Sequence, residues 1–263
     1  MTHTYNIAKN EFNYSIWRYL DFSKFVNLLE NSNIFFPIVD LFEDRLEGIH
    51  NAIGKNDFYD ITDEGQIIMI DSALDARQIE NSQLLKGYLS HHVETIRKSV
   101  GVSCWRFSEH ESHAMWKVFL SSNEGVAIRT TLDDIFKGIK CSKENQNIYI
   151  GKVNYIDFKN EKIPIDNMFN ALFHKNIYFE HEKELRILAY EVNNIDEETF
   201  KIGNLKEMNF SGVTLEFDYK IIIKEIIVSP YASKWFFDLV KKLCIDKYEL
   251  DVKINWSQID LRR

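Results

Sequence analysis

The chain has 263 residues, a formal net charge of −8, 45% hydrophobic and 14% aromatic residues, and only 10 Gly and 3 Pro. Such a length and richness in Phe and Tyr supply a large core and exclude disorder, and the acidic balance opposes non-specific adhesion to phosphate backbones. No apolar run approaches the roughly 20 residues that cross a bilayer, and the opening MTHTYNIAKNEF lacks the basic start and apolar stretch of a leader. The expectation is a soluble, cytoplasmic protein. Cys104, Cys141 and Cys244 are odd in number and far apart, unlike a disulfide framework or a zinc pattern, and fit a reducing compartment.

In chain order, Phe12 to Leu20 reads as an aromatic-rich strand, and Asp21 is placed to cap a helix over Phe22 to Asn31 with Phe22, Phe25, Val26 and Leu29 on one stripe. A short strand over Ile34 to Ile38 follows, then the acidic turn LFEDRLEG at 41–48. Between Asp57 and Glu80 there are seven acidic residues and one base, Arg77, so 51–81 reads as an acidic surface insertion. Helical spacing returns over Ser82 to Ser99. Beyond it come a strand at 101–107, a helix at 111–120, a strand at 125–130, a helix at 132–138 and a strand at 148–158. A helix over 166–176, strands at 182–192, 212–217 and 221–228, a helix at 232–243 and a strand at 248–254 complete the chain. This order predicts an α+β class, with mixed, mainly antiparallel sheets and flanking helices in a single domain over 1–263.

Three groups of residues carry chemistry. In Trp17-Arg18-Tyr19, strand alternation points Arg18 away from both aromatics, where its guanidinium is free to clamp a phosphate or carboxylate. In Val102 to Phe107, Ser103 and Trp105 share a face, a hydroxyl beside a stacking surface. Around the following Glu111-Ser112-His113-Ala114-Met115-Trp116, Ser108 or Glu111 is placed to cap a helix whose Met115 and Trp116 join the core. In Phe179 to Leu188, a strand would place Glu182, Glu184 and Arg186 in one row, either an ordinary ion ladder or, inside a pocket, carboxylates able to stabilise a developing cation. A Ser103 or Cys104 nucleophile with His181 as base lacks the glycines of a nucleophile elbow. His110 and His113 have no third ligand at metal spacing, so no metal is expected. Lys241, Lys242, Arg262 and Arg263 read as solvated charge rather than a nucleic-acid patch.

The joint set Trp17 to Phe22, Asp44 with Glu47-Gly48, Ser103-Cys104-Trp105, Glu111-Ser112 with Met115-Trp116, Gly125 with Ala127 to Thr130, and Phe179 to Arg186 resembles a bacterial family of unknown function, family 2971. More loosely, a strand Arg, a strand Ser and a Glu-x-Glu in that order resemble the arrangement of ADP-ribosyltransferases. That resemblance implies NAD as substrate, with Arg18 on its phosphates or ribose, Ser103 orienting the catalytic Glu184, Glu182 as the upstream acid, and Tyr19, Trp105 and Arg186 beside the dinucleotide. It also implies a macromolecular acceptor, protein or nucleic acid, as for a toxin or phage-defence effector. The alternatives are a non-catalytic nucleotide-sensing or protein-interaction module and a metal-independent nuclease.

Overall fold

The computed structural model describes residues 2–42, 47–48, 59–61, 67–69, 93–141, 143, 145–164, 167–191 and 211–259. Its strands are β1 (Thr2–Tyr5), β2 (Ser15–Asp21), β3 (Asn33–Pro37), β4 (Tyr59–Ile61), β5 (Ile67–Met69), β6 (Val100–Phe107), β7 (Gly125–Thr131) and β8 (Ile139–Lys140). They continue with β9 (Gln146–Lys152), β10 (Asn154–Ile156), β11 (His174–Asn176), β12 (Glu184–Glu191), β13 (Gly212–Phe217), β14 (Glu225–Val228) and β15 (Lys253–Trp256). The helices are α1 (Phe22–Asn31), α2 (93–99), α3 (His113–Phe119), α4 (Leu132–Gly138), α5 (Tyr219–Ile222) and α6 (Lys234–Lys242). The expected α+β class is what forms. No described helix is long and apolar enough to cross a membrane.

Eight strands make one sheet in the order β1-β9-β12-β6-β2-β7-β14-β15, antiparallel except for the parallel pairs at its two edges. One face carries the main core, in which Ile16, Leu20, Ile128, Leu185 and Ile187 pack against Phe25 and Leu29 of α1, Ile135 of α4 and Phe236 and Val240 of α6. The small sheet β3-β13-β8 adds Phe36, Leu215 and Phe217 to it. Each fully buried Phe or Leu contributes about 1.5–3 kcal/mol relative to an exposed one. The opposite face is covered in two separate places. Val100, Val102, Leu188, Phe169 and Phe173 form one group, and Trp17, Tyr19, Met115, Trp116 and Ala127 form the other.

The pairing of β6 with β2 is short. It runs from Ile16–Phe107 to Trp17–Arg106 and ends, whereas β2 pairs with β7 along its whole length from Ser15–Thr131 to Asp21–Gly125. The first half of β6 lies instead against the chain leaving β3, with Ile38 bridged to Gly101. Gly101 allows this approach, because a Cβ there would lie 2.7 Å from the Phe36 carbonyl oxygen. A wedge therefore opens between β2 and β6, on a line between the two outer apolar groups.

Several boundaries differ from the sequence expectation. The helix expected over 166–176 is replaced by a turn, a 3-10 turn at Asn170–Leu172 and β11. Asn side chains compete for the backbone there: Asn167 Oδ1 accepts from Phe169 N at 2.9 Å and Asn170 Nδ2 donates to the Pro164 carbonyl at 2.9 Å. Asp21 does not cap α1; its Oδ1 accepts from Ser121 N at 2.9 Å. Ser112, rather than Ser108 or Glu111, caps α3. The strand expected at 221–228 is split, because Asp218 caps α5 and only Glu225–Val228 stays extended. The strand expected at 148–158 divides after Lys152, and the one at 248–254 is confined to Lys253–Trp256. The acidic insertion at 51–81 lies outside the described residues apart from the antiparallel pair β4 and β5, as do Arg262, Arg263 and most of the helix expected at 82–99.

Gly101→Ala should destabilise the protein by about 1–3 kcal/mol, because the added methyl meets main-chain atoms that cannot rotate away. Urea denaturation followed by circular dichroism measures it, and an unchanged midpoint would refute this account of the wedge.

Candidate functional site

The wedge opens into a cleft of about 710 Å³. Four consecutive residues of β2, Trp17 to Leu20, line it, and so do Cys104, Trp105 and Arg106 of β6. Neighbouring residues of a strand face opposite ways, so such runs reach one cavity only where it meets the strand's edge. The wall also includes residues of α3, Lys24, Phe42 and Glu47, and, from the acidic end, Lys175, Phe179, His181, Glu182, Glu184 and Arg186. A hollow of about 740 Å³ beside Ser15, Arg129 and Lys224 is a poorer candidate, because Arg129 is paired with Glu225 at 3.2 Å and Lys224 with Asp134 at 3.0 Å.

Arg18 points away from Trp17 and Tyr19, as strand alternation requires, because those two rings pack with Met115 and Trp116 on the other face. Its Nη1 donates to Ser103 Oγ and its guanidinium lies 5.6 Å from the centre of the Trp105 ring. No carboxylate among the described residues pairs with it, and burial pushes its pKa down to about 10. The cation is thus partly buried without a counter-ion among the described residues.

Ser103 and Trp105 share a face, and Trp105 Nε1 donates to Ser103 Oγ at 3.0 Å. Ser103 is 1% exposed and sits opposite Ile187, while Glu184 pairs with Arg106 and Arg186 with Cys104. It therefore lies on the reverse side of the sheet from the carboxylates. Its hydroxyl holds Arg18 and Trp105, and no hydrogen bond joins it to Glu184. Tyr19 reaches the cleft with its ring, but its hydroxyl accepts from Ser112 N at 2.8 Å. Burial, with the charge of Glu184 second, pushes the Cys104 thiol up to about 12, so no thiolate nucleophile is available near neutrality.

The acidic end is an ion network instead of a strand ladder. Glu182 ends a 3-10 segment, Ile177–Glu182, and Lys183 at φ 47° turns the chain before β12 begins at Glu184. The side chain of Arg186, 1% exposed, donates from Nε to Glu184 Oε2 at 2.5 Å and from Nη1 to Glu47 Oε1 at 2.6 Å and the Leu172 carbonyl at 2.7 Å. Its Nη2 is buried without a partner among the described residues. Lys175 Nζ lies 2.6 Å from Glu182 Oε2, 3.1 Å from Glu184 Oε1 and 3.8 Å from Glu47 Oε2, with the Phe179 ring beneath it. Arg186 is thus committed to protein partners, and both oxygens of Glu184 are held.

Burial opposes the Glu184 charge, but Arg186 and Lys175 together outweigh it and keep this carboxyl ionised well below the usual range. Burial, and then the neighbouring Glu184, push Glu182 up to about 7. Two carboxyls two residues apart are thereby separated into a fixed negative charge and a group that exchanges its proton near neutrality.

Glu47, Lys175 and Arg106 are the residues that the sequence left without a role. Glu47-Gly48 stood out only as a motif. Gly48 adopts φ 73°, and Glu47 is fixed at the site by Arg97 Nη1 on its carbonyl at 2.5 Å. Lys175 fell within the expected helix. In total the lining includes five cationic side chains, Arg18, Lys24, Arg106, Lys175 and Arg186, against the carboxylates of Glu47, Glu182 and Glu184. A local positive excess in a chain of net charge −8 draws anions to this cleft.

No family model, curated protein or solved structure matches the chain.

Arg186→Met should cost about 3–5 kcal/mol in urea unfolding, because it strands Glu47 and Glu184 in the interior. Glu182 gives a pH signature. Its folded pKa exceeds the unfolded value of 4.5, so its contribution to stability is complete below about 4.5 and is lost as pH rises through about 7. Glu182→Gln should therefore gain stability relative to the parent between pH 5 and pH 8. A difference that is flat across that range would refute the assignment.

Proposed function

We propose that the cleft binds NAD and cleaves its nicotinamide–ribose bond, passing ADP-ribose to an acceptor. The observation that carries this reading is the partly buried guanidinium of Arg18 over Trp105, without a counter-ion among the described residues, in one cleft with the Glu182–Glu184 pair. An arginine without a counter-ion fits the pyrophosphate, and an aromatic face fits a flat base or the nicotinamide ring. Departure of neutral nicotinamide takes the bonding electron pair from the C1′–N bond and leaves a ribosyl cation. Glu184, held ionised, lowers the energy of that cation. The acceptor oxygen or nitrogen then bonds to C1′, and its proton passes to Glu182, which is poised to take one near neutral pH.

Ser103 then acts at one remove, by fixing Arg18 and the Trp105 ring, and Arg186 acts by holding Glu184 rather than by touching the dinucleotide. A second reading, a nucleotide-sensing module without catalysis, is favoured by one observation. Both oxygens of Glu184 are already engaged by cations, at 2.5 and 3.1 Å, which weakens its field at a bound ribose.

Incubation of the full chain with NAD and candidate protein and nucleic-acid acceptors, with measurement of free nicotinamide, separates the two. The catalytic reading expects release that falls about 100-fold or more in Glu184→Gln, and that rises with pH through about 7 in the parent but not in Glu182→Gln. Binding of NAD that needs Arg18, with no release at any pH, would leave the sensing module. Release that is indifferent to Glu184 would end the assignment.

A further inference from the structure

The cleft holds a second guanidinium that no carboxylate among the described residues pairs with. Arg106 is partly buried and lines the cleft beside Tyr19. Its Nη1 donates to the carbonyl oxygens of His181 at 2.6 Å and Glu182 at 3.1 Å, which fixes the plane of the group. Nε is buried with no partner, and Nη2 has none among the described residues. An arginine anchored on one side by carbonyls, which neutralise no charge, keeps its positive charge and presents Nη2, which is not among its buried atoms, as a donor at a fixed position suited to an oxyanion.

The position is distinct from that of Arg18. Trp17 is the partner of Arg106 in the last pair of the β2–β6 ladder, so Arg106 shares the face of Trp17, whereas Arg18 projects from the reverse face. The two guanidiniums project from opposite faces of the parting strands. Lys175 and Arg186, by contrast, are spent on Glu47, Glu182 and Glu184.

We propose that Arg106 is a second anion position, taking a phosphate-class oxyanion, so that the cleft holds two such groups at once, one at Arg18 and one at Arg106. The proposal rests on the reading of the cleft as a nucleotide site and adds that its occupants bring phosphoryl groups to two separated places.

The test is urea unfolding of the full chain in rising inorganic phosphate, with ionic strength held constant by chloride. Each ion bound only by the folded state adds RT ln(1 + [L]/Kd) to stability, so the limiting slope of the logarithm of the unfolding constant against that of phosphate counts ions. The slope should fall by about one in Arg106→Gln, by about one in Arg18→Gln and by about two in the double variant. A parental slope in Arg106→Gln, or a double variant no different from Arg18→Gln, overturns the proposal. If Arg106→Gln fails to fold through loss of its anchor, Arg106→Lys keeps the charge but not the planar group that the carbonyls hold in place. It should raise the phosphate concentration needed at this position about tenfold, and an unchanged concentration dependence is again a refutation. Nicotinamide release plays no part in the readout. A loss of slope without release would sustain the anion position while removing the dinucleotide reading, and release with a parental slope would do the reverse.

Discussion

Strand β6 has one free edge and two neighbours that need it. Near Phe107 the edge pairs with β2, and near Gly101 it is taken by the chain leaving β3, which sits so close to Gly101 that only a residue without a Cβ fits. A strand cannot follow two diverging partners along its whole length, so β2 and β6 part after Trp17–Arg106. The position of the cleft follows from that separation. So does the presence in one cavity of residues from both faces of the sheet, because a cavity at a strand edge meets side chains of both parities.

Charge in the cleft is handled in two ways. Around Arg186 every charge has an opposite within hydrogen-bonding reach, and the cost of desolvation is offset by Glu47, Glu184 and a main-chain carbonyl. Arg18 and Arg106 are held by a hydroxyl, an aromatic face and carbonyl oxygens, none of which carries an opposite charge. A network of the first kind fixes structure. Groups of the second kind leave a partly buried charge that no opposite charge among the described residues offsets, which costs the fold stability.

The two halves of the acidic end are joined by Lys175. It sits between Glu182, which closes a 3-10 turn, and Glu184, which opens β12, and it reaches Glu47 from a distant part of the chain. Because Lys183 takes a left-handed conformation between them, the carboxyls of Glu182 and Glu184 meet without sharing a strand. Burial raises the pKa of both, but at Glu184 it is outweighed by Arg186 and Lys175, whereas at Glu182 the hydrogen bond to Glu184 and the charge of Glu184 add to burial and outweigh Lys175.

Local pattern alone determined the class of the fold, the extents of α1, α4 and β13, the shared face of Ser103 and Trp105, and the outward turn of Arg18 from its aromatic flanks. These depend on periodicity along a single element, which side-chain chemistry specifies directly. It misplaced the segment after Pro164, where Asn167 and Asn170 bond to the backbone and end a helix that apolar spacing would allow. Only the tertiary structure decided that Ser103 serves Arg18 and not Glu184, that Arg186 is an internal tie, and that Glu47, Lys175 and Arg106 belong to the cleft. Those facts depend on which strand lies beside which, and on an edge shared between two sheets. Such pairings are set by packing across the whole chain, and no repeat along the sequence encodes them.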